Sequence, residues 1–115
     1  MKLRTIIEAG EAIQHLLDLK LPLKVSYSIQ RTVRPLLEEL RTFENARDEL
    51  IRTMGKPDET GAVKVAREQM PTFLKEVNEL LDLEIDVSIT KISLEDLSGE
   101  LSVRDMLLLE FLIEG

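Results

Sequence analysis

The chain has no cysteine and no tryptophan, and only one histidine, one tyrosine and three phenylalanines among 115 residues. Without cysteine there is no disulfide framework, no thiolate nucleophile and no cysteine-containing zinc site, which fits a reducing, cytoplasmic setting. The lone imidazole, His15, cannot complete a histidine-rich metal site. No serine or acid stands around it in a triad context, so it reads as a partly exposed helix residue. The glycines fall singly at 10, 55, 61, 99 and 115, which excludes a glycine-rich phosphate loop. Scarce aromatics leave no stacking platforms for sugars or bases. No apolar run approaches the roughly 20 residues of a membrane-spanning helix, and "MKLRTIIEAGEAI" is interrupted by Glu8 and Glu11 before a signal-peptide core can form. The expectation is a soluble, untargeted protein of the cytoplasm, with no membrane partner, metal or cofactor.

What is present is apolar aliphatic and charged. Residues of the AVILMFWYC set make up 43% and charged residues 32%, a balance too apolar for a disordered chain and rich in helix-forming Leu, Glu, Lys and Arg. This length suits a single domain, residues 1–115, with one modest core. The net charge of −7 is unevenly spread: residues 19 to 37 carry four bases and no acid, leaving eleven bases against twenty-two acids elsewhere. Such a surface disfavours direct nucleic-acid binding and suits a basic partner.

Periodicity predicts an α+β, mostly helical fold: a long helical hairpin, a small two- or three-stranded sheet and a buried C-terminal helix. Thr5 and Glu8 form a capping-box pattern before a helix over 6–19, with a short strand or extended lead at 2–4. Pro22 ends that helix. A second runs over 23–54 with Val25, Ile29, Val33, Leu36, Leu40, Phe43, Leu50 and Met54 on one stripe; Pro35 inside it predicts a kink or break. Gly55 is placed as a left-handed cap. "AVKV" at 62–65 reads as a strand, 68–83 as a third helix with Pro71 in its first turn, and the alternation in "EIDVSIT", 84–90, as a half-buried strand pairing with 62–65 or the N-terminal lead. "ISLEDLSGELS" is a loop anchored by Ile92, Leu94 and Leu97. Ser102 with Asp105 then caps a last helix that is apolar on most of its circumference, so it is either central to the core or has a face left over for another copy.

The candidate binding residues are Lys24, Tyr27, Arg31 and Arg34. Their spacing of three, four and three puts them on one ridge, where two guanidiniums, an ammonium and a phenol can hold a phosphate or carboxylate by charge-assisted hydrogen bonds. The competing reading is an ordinary solvated face with Arg34 paired to Glu38. Glu84 and Asp86 share a strand face, but a hydrolase needs a substrate cleft and aromatic platforms for sugars are missing, so a hydrolase dyad loses to solvated carboxylates. "PDETG" lacks the ligand spacing of a calcium loop. No catalytic set emerges, and the expectation is a protein that is not an enzyme.

"LKLPLKVSYSIQRTVRPLLEEL", "FENARDELIRTMGKPDETGAVKV" and "LLDLEIDVSITKISLEDLSGELSVRDMLLLEFLIEG" together resemble a family of small uncharacterised proteins encoded in tailed bacteriophages and prophages. Lys24, Tyr27 and the turn from Asp58 to Gly61 match that family's pattern, which carries Lys where this chain has Arg31 and Arg34. The resemblance spans nearly the whole chain, and its motifs are structural. It implies a phage context, in the host cytoplasm or the virion. The leading expectation is an accessory protein that binds a host defence or regulatory component, a protein or a phosphate-bearing ligand, and that forms a homo-oligomer. The alternative is a virion, tail or head assembly protein.

Overall fold

The computed structural model describes residues 1–97 and 101–114. The fold is α+β and mostly helical. Helix α1 spans Leu3–Glu8 and α2 spans Gly10–Leu17; the long α3 runs Leu23–Met54. Strands β1, Gly55–Pro57, and β2, Val63–Val65, form an antiparallel hairpin. A 3-10 turn at Arg67–Gln69 leads into α4, Met70–Leu81. Strand β3, Ile92–Ser93, is followed by a 3-10 turn at Leu94–Leu97, then α5, Val103–Leu108, and β4, Ile113–Glu114, which pairs in parallel with β3.

The core sits at one end of the molecule. Ile6 from α1, Ala9 between α1 and α2, Ala12, Ile13 and Leu16 from α2, and Ile29, Val33 and Leu36 from α3 close on Ile92, Leu97, Leu109 and Leu112. Each fully buried Leu or Ile contributes about 1.5–3 kcal/mol by leaving water, and that burial holds the hairpin of α2 against α3. The distal half of α3 runs beyond this core. At about 1.5 Å per residue its 32 residues span roughly 48 Å, which accounts for the molecule's 50 Å long axis. The radius of gyration is accordingly 17.2 Å, against about 13 Å for a compact domain of this length.

Several expected boundaries move. The first helix begins at Leu3 rather than Ile6, with Lys2 as N-cap and no side-chain cap, so the Thr5–Glu8 capping box does not form. A single irregular residue, Ala9, divides it from α2 while the backbone bonds Ala9 N–H to Thr5 O and Ile13 N–H to Ala9 O continue across. Helix α3 matches its expected span and runs through Pro35 without a break. Gly55 has φ −90° and ψ 165°, extended rather than left-handed. Strand β2 pairs with β1, not with residues 84–90, because a hairpin closed by a five-residue connection costs less chain entropy than a distant pairing.

Residues 84–90 keep the alternation but not the ladder: Ile85, Val87 and Ile89 are half-buried while Glu84, Asp86, Ser88 and Thr90 face out. Among the described residues this segment's one bridge joins Glu84 to Lys2, so the N-terminal lead is the partner, reinforced by Leu3 N–H to Leu83 O at 2.9 Å. Of the expected loop anchors, Ile92 and Leu97 are buried and Leu94 is exposed; positions 98–100 of that loop, and residue 115 of the last helical stretch, lie outside the described residues. Ser102 caps α5 as expected, its Oγ accepting from Asp105 N–H at 3.0 Å. Helix α5 is short, and its inward side continues into buried Leu109 and Leu112 while Val103 and Leu107 stay exposed. No helix among the described residues is long and apolar enough to cross a membrane.

Candidate functional site

Lys24, Tyr27, Ser28 and Arg31 fall at i, i+3, i+4 and i+7 on α3 and form one wall of a groove. The floor is Thr32, and the opposite wall is the extended segment at Ser88 and Thr90. The groove has a volume of about 360 Å³ and is open to solvent. The two walls are joined by a tertiary hydrogen bond: Thr32 Oγ1, on a residue only 7% exposed, donates to the backbone carbonyl of Thr90 at 3.3 Å. The alternating burial of residues 84–90 then turns Ser88 outward, into the groove, while Val87 and Ile89 pack on the core.

The lining carries two cations, the phenol of Tyr27 and four aliphatic hydroxyls, with no carboxylate among them. The Arg31 guanidinium lies 5.9 Å from the centre of the Tyr27 ring, a cation–π distance that holds both side chains over the groove. Among the described residues, Lys24, Arg31 and Arg34 make no ion pair within 4.0 Å, and the expected Arg34–Glu38 pair is absent. The carboxylate-rich remainder of the molecule instead engages Lys2, Arg4, His15, Arg47, Arg52 and Lys64.

Three of the four residues singled out by spacing therefore meet at one place, and Arg34 does not. At about 100° per residue, Arg34 lies roughly 80° from Lys24 around the helix, on the side opposite Thr32, so the ridge has turned away from the second wall. The groove also differs in position from the junction between the end of α2 and the start of α3. That junction holds a second cleft of about 260 Å³, lined by Leu16, Leu19, Leu21, Leu23 and, again, Tyr27. A larger groove of about 640 Å³ lies between α1–α2 and α3, but Glu11 and Glu44 stand in it beside Arg41 and Arg47, so it offers no net preference for an anion.

The histidine has a partner that spacing could not reveal. His15 Nδ1 donates to Asp105 Oδ2 at 2.9 Å; an ionised carboxylate only accepts, which places the proton on Nδ1. Its Nε2 faces Glu11 at 3.8 Å. The hydrogen bond to Asp105, then the charge of the same carboxylate, raise the His15 pKa above its ordinary value; partial desolvation opposes the shift, and Glu11 and Asp18 add to it. With a carboxylate at each nitrogen, the imidazole is arranged as a charge latch between α2 and α5.

The remaining candidates behave as surface structure. Glu84 lies 3.5 Å from the Met1 ammonium, and Asp86 is exposed. In the 58–61 turn, Asp58 Oδ1 accepts from Thr60 Oγ1, Thr60 N–H and Ala62 N–H, and these bonds hold its carboxyl below the usual range, the Thr60 hydroxyl contributing most. Its carboxylate is thus spent on the turn. No group of three or more histidine and acidic side chains converges to hold a metal among the described residues. Comparison with family models, with curated proteins and with solved structures gives no match to this chain.

Proposed function

We propose that this chain works by binding and not by catalysis, as a phage-type accessory protein whose groove at Lys24, Tyr27 and Arg31 captures an anionic group presented by a host defence or regulatory component. The observation that carries this reading is the groove's lining: cations and hydroxyls without a carboxylate, on a chain with twenty-two acids. Such a set complements phosphate or carboxylate oxygens and repels cations. The host cytoplasm is the compartment this reading requires.

The test uses the chain's own reporter. Tyr27 is the single tyrosine and there is no tryptophan, so tyrosine fluorescence reads the groove directly. Titrating the full chain with inorganic pyrophosphate should give a saturable change that Arg31→Ala weakens and added salt suppresses. An unchanged signal in the parent would overturn capture of a small phosphate in the groove.

A second reading, a virion or tail assembly component, is favoured by one observation: Val103 and Leu107 on α5 are 76% and 68% exposed, an unburied apolar face suited to another subunit. Detection of the chain in purified particles would select it over the first.

A further inference from the structure

We propose that copies of this chain join head to tail, with the apolar face of α5 on one copy seated at the start of α3 on the next and the adjacent Glu110 carboxylate entering the basic groove. This rests on reading that groove as an anion site, and it names a second copy as the occupant.

The donor surface is an apolar ridge with acid beside it. Leu107 separates two shallow clefts, one of about 300 Å³ formed with Leu94, Val103, Met106 and Ile113, the other of about 400 Å³ formed with Thr5, Leu108 and Phe111. Glu110 borders both, and Glu8 borders the second. Leu94 and Ile113 are followed directly by Glu95 and Glu114, and Arg104 is the one base on α5. A two-fold pairing of this face with itself would bring Glu110 and its neighbours toward their own copies, which like-charge repulsion opposes.

The acceptor surface has the opposite character. Leu23 is 87% exposed and Tyr27 61% exposed. They stand beside the leucine-lined cleft at the α2–α3 junction, and Tyr27 is shared between that cleft and the basic groove. An apolar socket and an anion groove therefore adjoin across one side chain. On the donor, Leu107 near the end of α5 and Glu110 in the turn that follows it are joined by the Glu110 N–H to Leu107 O hydrogen bond at 3.4 Å, which suits a leucine knob in the socket and a carboxylate at Lys24 and Arg31. The two surfaces have no residue in common, so each copy offers both at once. Such a heterologous contact closes into a ring or extends as a filament, according to the rotation it imposes.

Sedimentation velocity on the full chain and on two variants tests this. The parent should show a mass that rises with concentration. Leu107→Asp, which keeps the acceptor, and Lys24→Glu/Arg31→Glu, which keeps the donor, should each remain single chains. An equimolar mixture of the two should form a two-chain species that grows no further, because only one productive contact remains. Val103→Asp, at a still more exposed position, repeats the donor arm should Leu107→Asp lose its helical circular dichroism. A parent that stays a single chain at every concentration, a double variant that associates like the parent, or a mixture that stays separate would each overturn the proposal. Titrating Leu107→Asp with pyrophosphate separates the two ideas. A Tyr27 response with a separate mixture overturns self-assembly and leaves the anion groove standing; a silent Tyr27 with a two-chain mixture supports self-assembly and overturns capture of small phosphates.

Discussion

His15 and Asp105 are hydrogen-bonded at 2.9 Å across a separation of 90 residues, and this contact ties α2 to α5 where the core closes. Because the folded protein favours the imidazolium, its pKa is raised over the unfolded value of about 6.5. The stabilisation is complete below that unfolded value and is lost as pH rises through the raised folded one. Thermal melts of the parent should therefore decline as pH rises above about 6.5 more steeply than those of His15→Gln, which lacks the titrating group. Parallel pH profiles for the two proteins would show that the latch contributes nothing.

Gly55 and Gly61 serve the same hairpin for different physical reasons, so they should answer differently to one substitution. At Gly55 a Cβ would stand 2.5 Å from the Ile51 carbonyl oxygen and 2.7 Å from Val63, so the strand cannot stay in place with any side chain. Gly61 has φ +85° with nothing within 4 Å of the added carbon, so only conformation opposes substitution there. Gly61→Asn should be tolerated, at a cost of about 1 kcal/mol or less, since Asn accepts positive φ, whereas Gly55→Asn should displace β1 from β2. Amide chemical shifts of residues 55–65 would distinguish the two outcomes.

The parts of this molecule that the sequence displays are those fixed by near neighbours. Pro22 and the stripe from Val25 to Met54 define α3, and Ser102 with the Asp105 amide marks the start of α5, because both depend on helical spacing alone. The alternation from Glu84 to Thr90 correctly assigns inward and outward faces, but a strand also needs an available edge, and the hairpin satisfies β2 locally. Gly55 is read for conformation when its reason is close approach of the Ile51 and Lys64 carbonyls. Spacing finds Lys24, Tyr27 and Arg31, yet Ser88 and Thr90 complete the groove through a hydrogen bond reaching 58 residues along the chain, which no periodicity records. The His15–Asp105 pair escapes for the same reason.

Stability should be graded along the long axis. The residues of α4 include none that is fully buried, and the β1–β2 hairpin is likewise exposed or half-buried, whereas Ile6, Ile13, Val33 and Leu36 are wholly enclosed. Leu36→Ala should cost about 2–5 kcal/mol, a large part of the 5–15 kcal/mol typical of a domain, and Val77→Ala in half-buried α4 less than that. Hydrogen exchange should show α4 and the hairpin opening sub-globally before α2 and the Ile29–Leu36 turns of α3. Uniform protection from Ile6 to Leu81 would contradict this gradient.

Arg31 and Arg34 provide the sharpest test of whether the groove, rather than positive charge in general, is the working surface. They are three residues apart, carry the same group and are both exposed, so a solvated basic face should lose equally from either. Only Arg31 lines the groove. Charge-assisted hydrogen bonds contribute about 1.5–3 kcal/mol when desolvated and about 0–1 kcal/mol when exposed, so a half-open groove lies between these limits. Arg31→Ala should weaken pyrophosphate binding about tenfold, equivalent to about 1.4 kcal/mol, and Arg34→Ala by about threefold at most. Thr32→Val, which keeps the shape and removes the hydrogen bond to Thr90, should weaken binding with both arginines in place, because it frees the wall that carries Ser88. Equal losses from Arg31→Ala and Arg34→Ala, with Thr32→Val unchanged, would mean that the anion follows the charge of α3 and that the groove has no part in holding it.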